Sequence, residues 1–186
     1  RREKILVHSC CSICSAQPLA YLKELGYAPI SYFFNPNIYP DSEYEKRLSA
    51  QRQLCSFLDC ELVIEKYEPG AFEMASVGLE NEPEKGKRCE VCFDKRFEVT
   101  AQKALELGEK SITTTLLVSP LKSQEQLKKS GDIFFKKYGV EFIAYDYRKD
   151  GGTQDQSRVT KEQQLYRQDY CGCIYLCSNY WSTSMV

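Results

Sequence analysis

Runs of β-branched and aromatic residues alternate along this chain with stretches whose apolar positions recur every three or four residues. The runs predict strands over residues 4–8, 30–35, 62–66, 111–117 and 141–145. The periodic stretches predict helices over 15–25, 42–58, 90–107, 123–138 and 154–166. Gly26, Gly108 and Gly139 stand just past the first, third and fourth helices, where a chain leaving a helix favours glycine. Strand and helix in alternation imply right-handed crossovers and a mostly parallel sheet, an α/β fold. Such sheets gather ligands at the carboxyl ends of their strands. That rule sends four segments to one edge: Cys10-Cys11, Asn35-Pro36-Asn37, Ser119-Pro120 and Asp146-Tyr147-Arg148-Lys149.

With 186 residues the chain can bury one core, and it has neither an internal repeat nor a low-complexity linker, so a single domain over 1–186 is expected. A formal net charge of -1 excludes a generally basic nucleic-acid coat but leaves room for a local basic patch. No apolar run approaches the roughly 20 residues of a membrane helix. Ile5-Leu6-Val7 is too short for a secretory signal core, and no small-residue cleavage site follows it. A cytoplasmic protein with no membrane partner is the expectation.

Cysteine changes this ordinary picture. Seven of the ten sit in three tight groups: Cys10-Cys11-x-x-Cys14, Cys89-x-x-Cys92 and Cys171-x-Cys173. Close thiol spacings suit a metal or redox centre, because neighbouring thiolates reach one ion without strain. The first group falls on the turn into the first helix, where backbone amides and the helix N-terminus favour thiolate. Nucleotide-binding folds place a glycine-rich phosphate loop at this turn; here cysteines replace the glycines, which argues against ATP. Lys87 and Arg88 precede Cys89 and would support ionised sulfur there. A closed zinc site uses four ligands, fewer than the seven clustered thiols; a 4Fe–4S cluster also takes four and leaves others for redox work. Cys171 and Cys173 allow either a strained, reducible disulfide or ligation of a second metal. Cys55 and Cys60 read as small buried apolar residues, and His8 as part of a core strand.

Several ordered blocks of the chain resemble the QueH family of epoxyqueuosine reductases. They are Val7-His8-Ser9-Cys10-Cys11-Ser12-Ile13-Cys14, Tyr32-Phe33-Phe34-Asn35-Pro36-Asn37-Ile38 with Glu43-Tyr44 and Arg47, Arg88-Cys89-Glu90-Val91-Cys92 with Arg96, the run from Thr113 to Pro120, and the run from Tyr166 to Tyr175. Ser12-Ile13 and Leu176 depart from the family's usual residues without removing a thiol. The resemblance implies a Rossmann-like (HUP-like) sheet flanked by helices, with a metal site at the C-terminal edge of the strands. It implies reduction of the epoxide of epoxyqueuosine in tRNA, independent of cobalamin. It also implies Cys10, Cys11, Cys89 and Cys92 as 4Fe–4S ligands and Cys171 and Cys173 as a redox-active pair. Cys14 stays open between cluster ligand, ligand of a second mononuclear iron and substrate contact.

Turning an epoxide into an alkene takes two electrons and two protons and releases water. A dithiol can supply the electrons and end as a disulfide, and a metal can act as Lewis acid on the oxygen. Asp146, Tyr170 and Tyr175 are candidate proton donors because they flank the expected site. Arg148, Lys149, Arg158, Lys161 and Arg167 form the densest basic run and are candidate phosphate contacts for an anticodon stem-loop. Tyr166 and Tyr170 interleave with that run and can stack bases. Lys46, Arg47 and Arg52 form a second candidate patch, Asn35 and Asn37 candidate hydrogen-bonding residues for a base or sugar, and Gly151-Gly152 a hinge before the last helix. The electron donor is unidentified by sequence. The competing readings are a zinc-stabilised RNA-binding module without catalysis and a general thiol–disulfide oxidoreductase.

Overall fold

A computed structural model describes residues 2–149 and 152–176, and for 152–156 the backbone path alone. Cys177 and Gly151 lie outside the described residues. Five parallel strands make one sheet in the order β3-β2-β1-β4-β5: β1 (Lys4–His8), β2 (Ala28–Phe33), β3 (Glu61–Ile64), β4 (Ser111–Thr114) and β5 (Glu141–Phe142). Among the described residues six α-helices flank it: α1 (Ser12–Glu24), α2 (Asp41–Leu58), α3 (Pro69–Ala75), α4 (Lys87–Leu107), α5 (Gln124–Lys137) and α6 (Gly152–Glu162). This is the Rossmann-like (HUP-like) arrangement expected.

The alternation of β1 assigns its two faces. Leu6 pairs with Ile30 and Ile112 in register and packs with Phe97 and Phe135 beneath α4 and α5. Ile5 and Val7 point the other way, onto Leu19 and Leu22 of α1, Leu54 of α2 and Val159 of α6. All three β1 residues are fully buried, worth roughly 1.5–3 kcal/mol each. A central strand covered on both faces reads as a continuous apolar run, as Ile5-Leu6-Val7 does.

The structure departs from the sequence expectations at element ends. β4 stops at Thr114 because its side-chain oxygen accepts the Leu116 N–H and opens a 3-10 turn, Thr115–Val118. β5 has two residues rather than five. α4 begins at Lys87, so Cys89 and Cys92 both lie in its first two turns. α1 begins at Ser12, with Cys11 in extended conformation at its N-cap. α3, a short helix opened by Pro69, was not expected, and α6 ends at Glu162, leaving Tyr166 in the following segment. No described helix is long and apolar enough to cross a membrane.

Candidate metal and thiol centre

All seven clustered cysteines line a single cavity of about 400 Å³. The turns after β1, β2 and β4 reach it with Cys10, Asn35 and Ser119; α4 contributes Cys89 and Cys92; the segment after α6 contributes Cys171 and Cys173. Four cations, Arg47, Arg88, Arg96 and Lys122, share the lining with two acids, Glu84 and Asp169. This excess of positive charge favours ionised sulfur.

The sulfurs of Cys10, Cys11 and Cys14 lie within 4.8 Å of one another and could hold a metal ion. Thr115 Oγ1 accepts the Cys10 N–H at 3.1 Å and lies 3.3 Å from its sulfur. Hydrogen bonds from Cys11 and Cys14, helped by Arg96 and Thr115, hold the Cys10 thiol well below the usual range despite burial. The same sharing with Cys10 pushes Cys11 up to about 12 and raises Cys14. One sulfur of the triad thus carries charge while its neighbours keep their protons, so loading a metal expels protons. Cys89 accepts the Lys85 N–H at 3.3 Å, and Arg96 Nη1 lies 3.8 Å from Cys92. Burial raises both of these α4 thiols.

Arg96 joins the two sides of the site. Its Nη2 donates to Asn35 Oδ1 at 2.6 Å and its Nε to His8 Nε2 at 3.3 Å. His8 is fully buried, and burial together with Arg96 lowers it to about 3, so the ring is neutral. Its Nδ1 lies 2.9 Å from Thr114 Oγ1 and its Nε2 3.1 Å from the Phe34 carbonyl oxygen, so the neutral ring is held by the ends of β2 and β4. His8 supports the site from the core and does not line the cavity.

At the third group, the Cys173 thiol and Lys122 lower Cys171 to about 6 against burial, while Cys173 is raised. The Cys173 N–H points at the Cys171 sulfur at 3.4 Å. Cys171 is therefore the thiolate of the pair and Cys173 the proton-bearing partner. Lys122, 12% exposed at its side chain and 3.4 Å from Glu84, and Gln168, whose Nε2 touches the Cys11 sulfur, are cavity residues to which sequence reasoning assigned no role. Lys122 follows Ser119-Pro120, a segment already placed on this edge by the strand pattern.

The other expected residues divide. Asn35, Asn37 and Tyr170 line the cavity. Asn37 Nδ2 reaches the Cys171 carbonyl at 3.5 Å, and its Oδ1 is buried without a hydrogen-bond partner. Tyr170 donates its hydroxyl to the Tyr39 carbonyl. Tyr175 pairs with Ser76 at 2.9 Å, outside the lining. Asp146 is also outside, exposed and paired with Arg148 and Lys149 on its own turn. Arg158, Lys161 and Arg167 are exposed and away from the lining. Arg47 corrects the expectation of a surface patch with Lys46 and Arg52: it is 3% exposed and turned inward. Cys55 is buried, and burial raises its thiol, as expected for a packing residue.

A solved structure from Methanocaldococcus jannaschii, described as a predicted subunit of tRNA methyltransferase, shares the fold at 12% identity, with a TM-score of 0.57 over 91% of this chain and 94% of that one. Sequence comparison is closer. An epoxyqueuosine reductase QueH of Acinetobacter baylyi is 37% identical across 98% of this chain and 85% of its own length. Those of Streptococcus pyogenes serotype M1 and Dehalococcoides mccartyi are each 36% identical, over 94% and 92% of this chain and 70% and 91% of theirs. Residues 5–179 match the family described as epoxyqueuosine reductase QueH, and the chain belongs to that family.

Proposed function

We propose that this chain is a single reductase domain that converts epoxyqueuosine in tRNA to queuosine. The observation that carries this reading is the meeting of three distant thiol groups in one cation-rich cavity. The reaction balances with the thiol pair as reductant: both C–O bonds of the epoxide break, the Cys171 thiolate and the Cys173 thiol lose two electrons as their disulfide forms, and the oxygen leaves as water with the Cys173 proton and a second proton drawn from solvent through a cavity donor such as Tyr170. Cys171, the more acidic sulfur, is the electron-rich partner, and Lys122 holds its charge. Tyr170 lines the cavity and is better placed for proton transfer than Asp146, which lies outside.

The donor set suits a thiophilic cofactor: five sulfurs from α4, the β1–α1 turn and the first turn of α1 line one buried space beside Arg88 and Arg96. Cys10, Cys11, Cys89 and Cys92 would hold a 4Fe–4S cluster, with Cys14 at hand for a second, mononuclear iron; bound there, iron would supply low-potential electrons and Lewis acidity. Regenerating the dithiol calls for an external two-electron donor. The anticodon stem-loop would be gripped by Arg148, Lys149, Arg158, Lys161 and Arg167, with Tyr166 stacking, while Asn35 and Asn37 belong to the pocket for the modified base.

Anaerobic purification with iron, sulfide and zinc analysis, followed by nucleoside mass spectrometry of epoxyqueuosine tRNA after turnover, tests the proposal. Iron and sulfide with queuosine formation are expected. Zinc alone, with no product after iron–sulfur reconstitution, would replace it by a zinc-stabilised RNA-binding module.

A further inference from the structure

The segment bearing Cys171 and Cys173 crosses the cavity with little regular structure to hold it. Its backbone meets the turn after β2 at the isolated bridge between Ile38 and Cys173, which is closed by a hydrogen bond of 2.8 Å from the Tyr39 N–H to the Gly172 carbonyl. Further grip comes from one buried side chain on α2. Arg47 donates from Nη1 to the Cys171 carbonyl at 3.2 Å and from Nη2 to the Tyr170 carbonyl at 2.9 Å. Its guanidinium also lies 5.2 Å from the centre of the Tyr170 ring.

We propose that Arg47 is the positioning residue of the thiol pair, a fork that grips two successive carbonyls and fixes where Cys171 and Cys173 meet the substrate; this rests on the reductase reading above. The fork is itself anchored. Its Nε donates to Glu43 Oε1 at 2.6 Å, and the other Glu43 oxygen accepts the Tyr166 hydroxyl at 2.7 Å. Glu43 therefore ties both the fork and the start of the strap to α2. Gly172 completes the fit: it sits at φ +95°, and a Cβ there would stand 3.0 Å from Ile38 Cγ1, 3.1 Å from Arg47 Nη1 and 3.2 Å from the Ile38 Cα. The alternative role for a cavity arginine, capture of a substrate phosphate, is weakened because Glu43 already neutralises the charge and three of its five N–H groups are engaged within the chain.

Lysine separates positioning from folding. Arg47→Lys keeps a cation against the buried Glu43 but cannot span two carbonyls. Metal-loaded Arg47→Lys is expected to retain its metal and thermal midpoint. With diamide, it should form the Cys171–Cys173 disulfide, mapped by peptide mass spectrometry, about tenfold more slowly, because the sulfurs lose their enforced proximity. On epoxyqueuosine tRNA its kcat should fall about 100-fold with KM little changed. Gly172→Ala crowds Arg47 Nη1 and Ile38 and strains the residue between the two cysteines, and should slow closure likewise. Wild-type closure rates in both variants would overturn the proposal, as would a raised KM at unchanged kcat. Slower closure in a protein whose wild type is inactive on epoxyqueuosine would uphold the positioning role and overturn only the substrate assignment.

Discussion

Replacing Glu43 by Gln tests the energetic centre of the strap. The pair is deeply buried, with side-chain exposures of 3% for Arg47 and 8% for Glu43, and its N–O distance is 2.6 Å. Removing one partner of such a pair costs about 3–5 kcal/mol, because the other charge is left uncompensated out of water. Gln is isosteric and keeps an oxygen for Arg47 Nε or the Tyr166 hydroxyl, so much of the hydrogen bonding survives and the charge term dominates. The lower end, about 3 kcal/mol, is the expected loss. With a urea slope of about 2 kcal/mol/M, the anaerobic unfolding midpoint read by circular dichroism should fall by about 1.5 M. The Tyr39 amide, bonded to the Gly172 carbonyl, should lose hydrogen-exchange protection by about a hundredfold. Glu43→Gln with Arg47→Met should lose less than the sum of the two single changes, since no charge is then stranded. A midpoint shift below about 0.4 M for Glu43→Gln, or strict additivity in the double variant, would show that no buried charge is left stranded.

Three further outcomes follow from the geometry. Cys89→Ala should lose iron on anaerobic analysis, whereas Cys171→Ala and Cys173→Ala should keep it and stop turnover; equal iron loss in all three would make the last pair ligands. Carboxymethylation of Cys171 in metal-free protein should rise through about pH 6, since a lowered thiol is ionised above its pKa, and Lys122→Met should move that midpoint upward by removing the nearby positive charge; mass spectrometry of the labelled peptide reads both. Arg158→Glu with Lys161→Glu should weaken tRNA binding and flatten its salt dependence by about one to two in log–log slope, and an unchanged slope in filter binding would move the RNA surface elsewhere.

The sheet was legible because a doubly covered strand must be apolar on both faces, as Ile5-Leu6-Val7 is. The convergence of thiols was legible for a related reason: crossovers put the ends of parallel strands on one edge, and two of the three groups follow strand or helix starts there. The end of β4 was not, because Thr113 to Leu117 has strand-like composition throughout and only the Thr114 hydroxyl bond to Leu116 closes the turn. α3 escaped because seven residues hold too few periods to register. Arg47 was the main misreading. In sequence, Glu43 and Arg47 are an ordinary i, i+4 helix pair of the kind that usually faces water. Only the packing of residues 166–173 against α2, a contact more than a hundred positions away, turns that pair inward.

The spread of the sulfurs along the chain sets an order of assembly. A ribosome releases Cys10, Cys11, Cys14, Cys89 and Cys92, with the first four strands, well before Cys171 emerges. If the first five thiols hold the proposed cluster, growing chains stalled near residue 165 should be competent to take up iron yet unable to spend electrons, an interval in which the centre is built while its chemistry is still switched off.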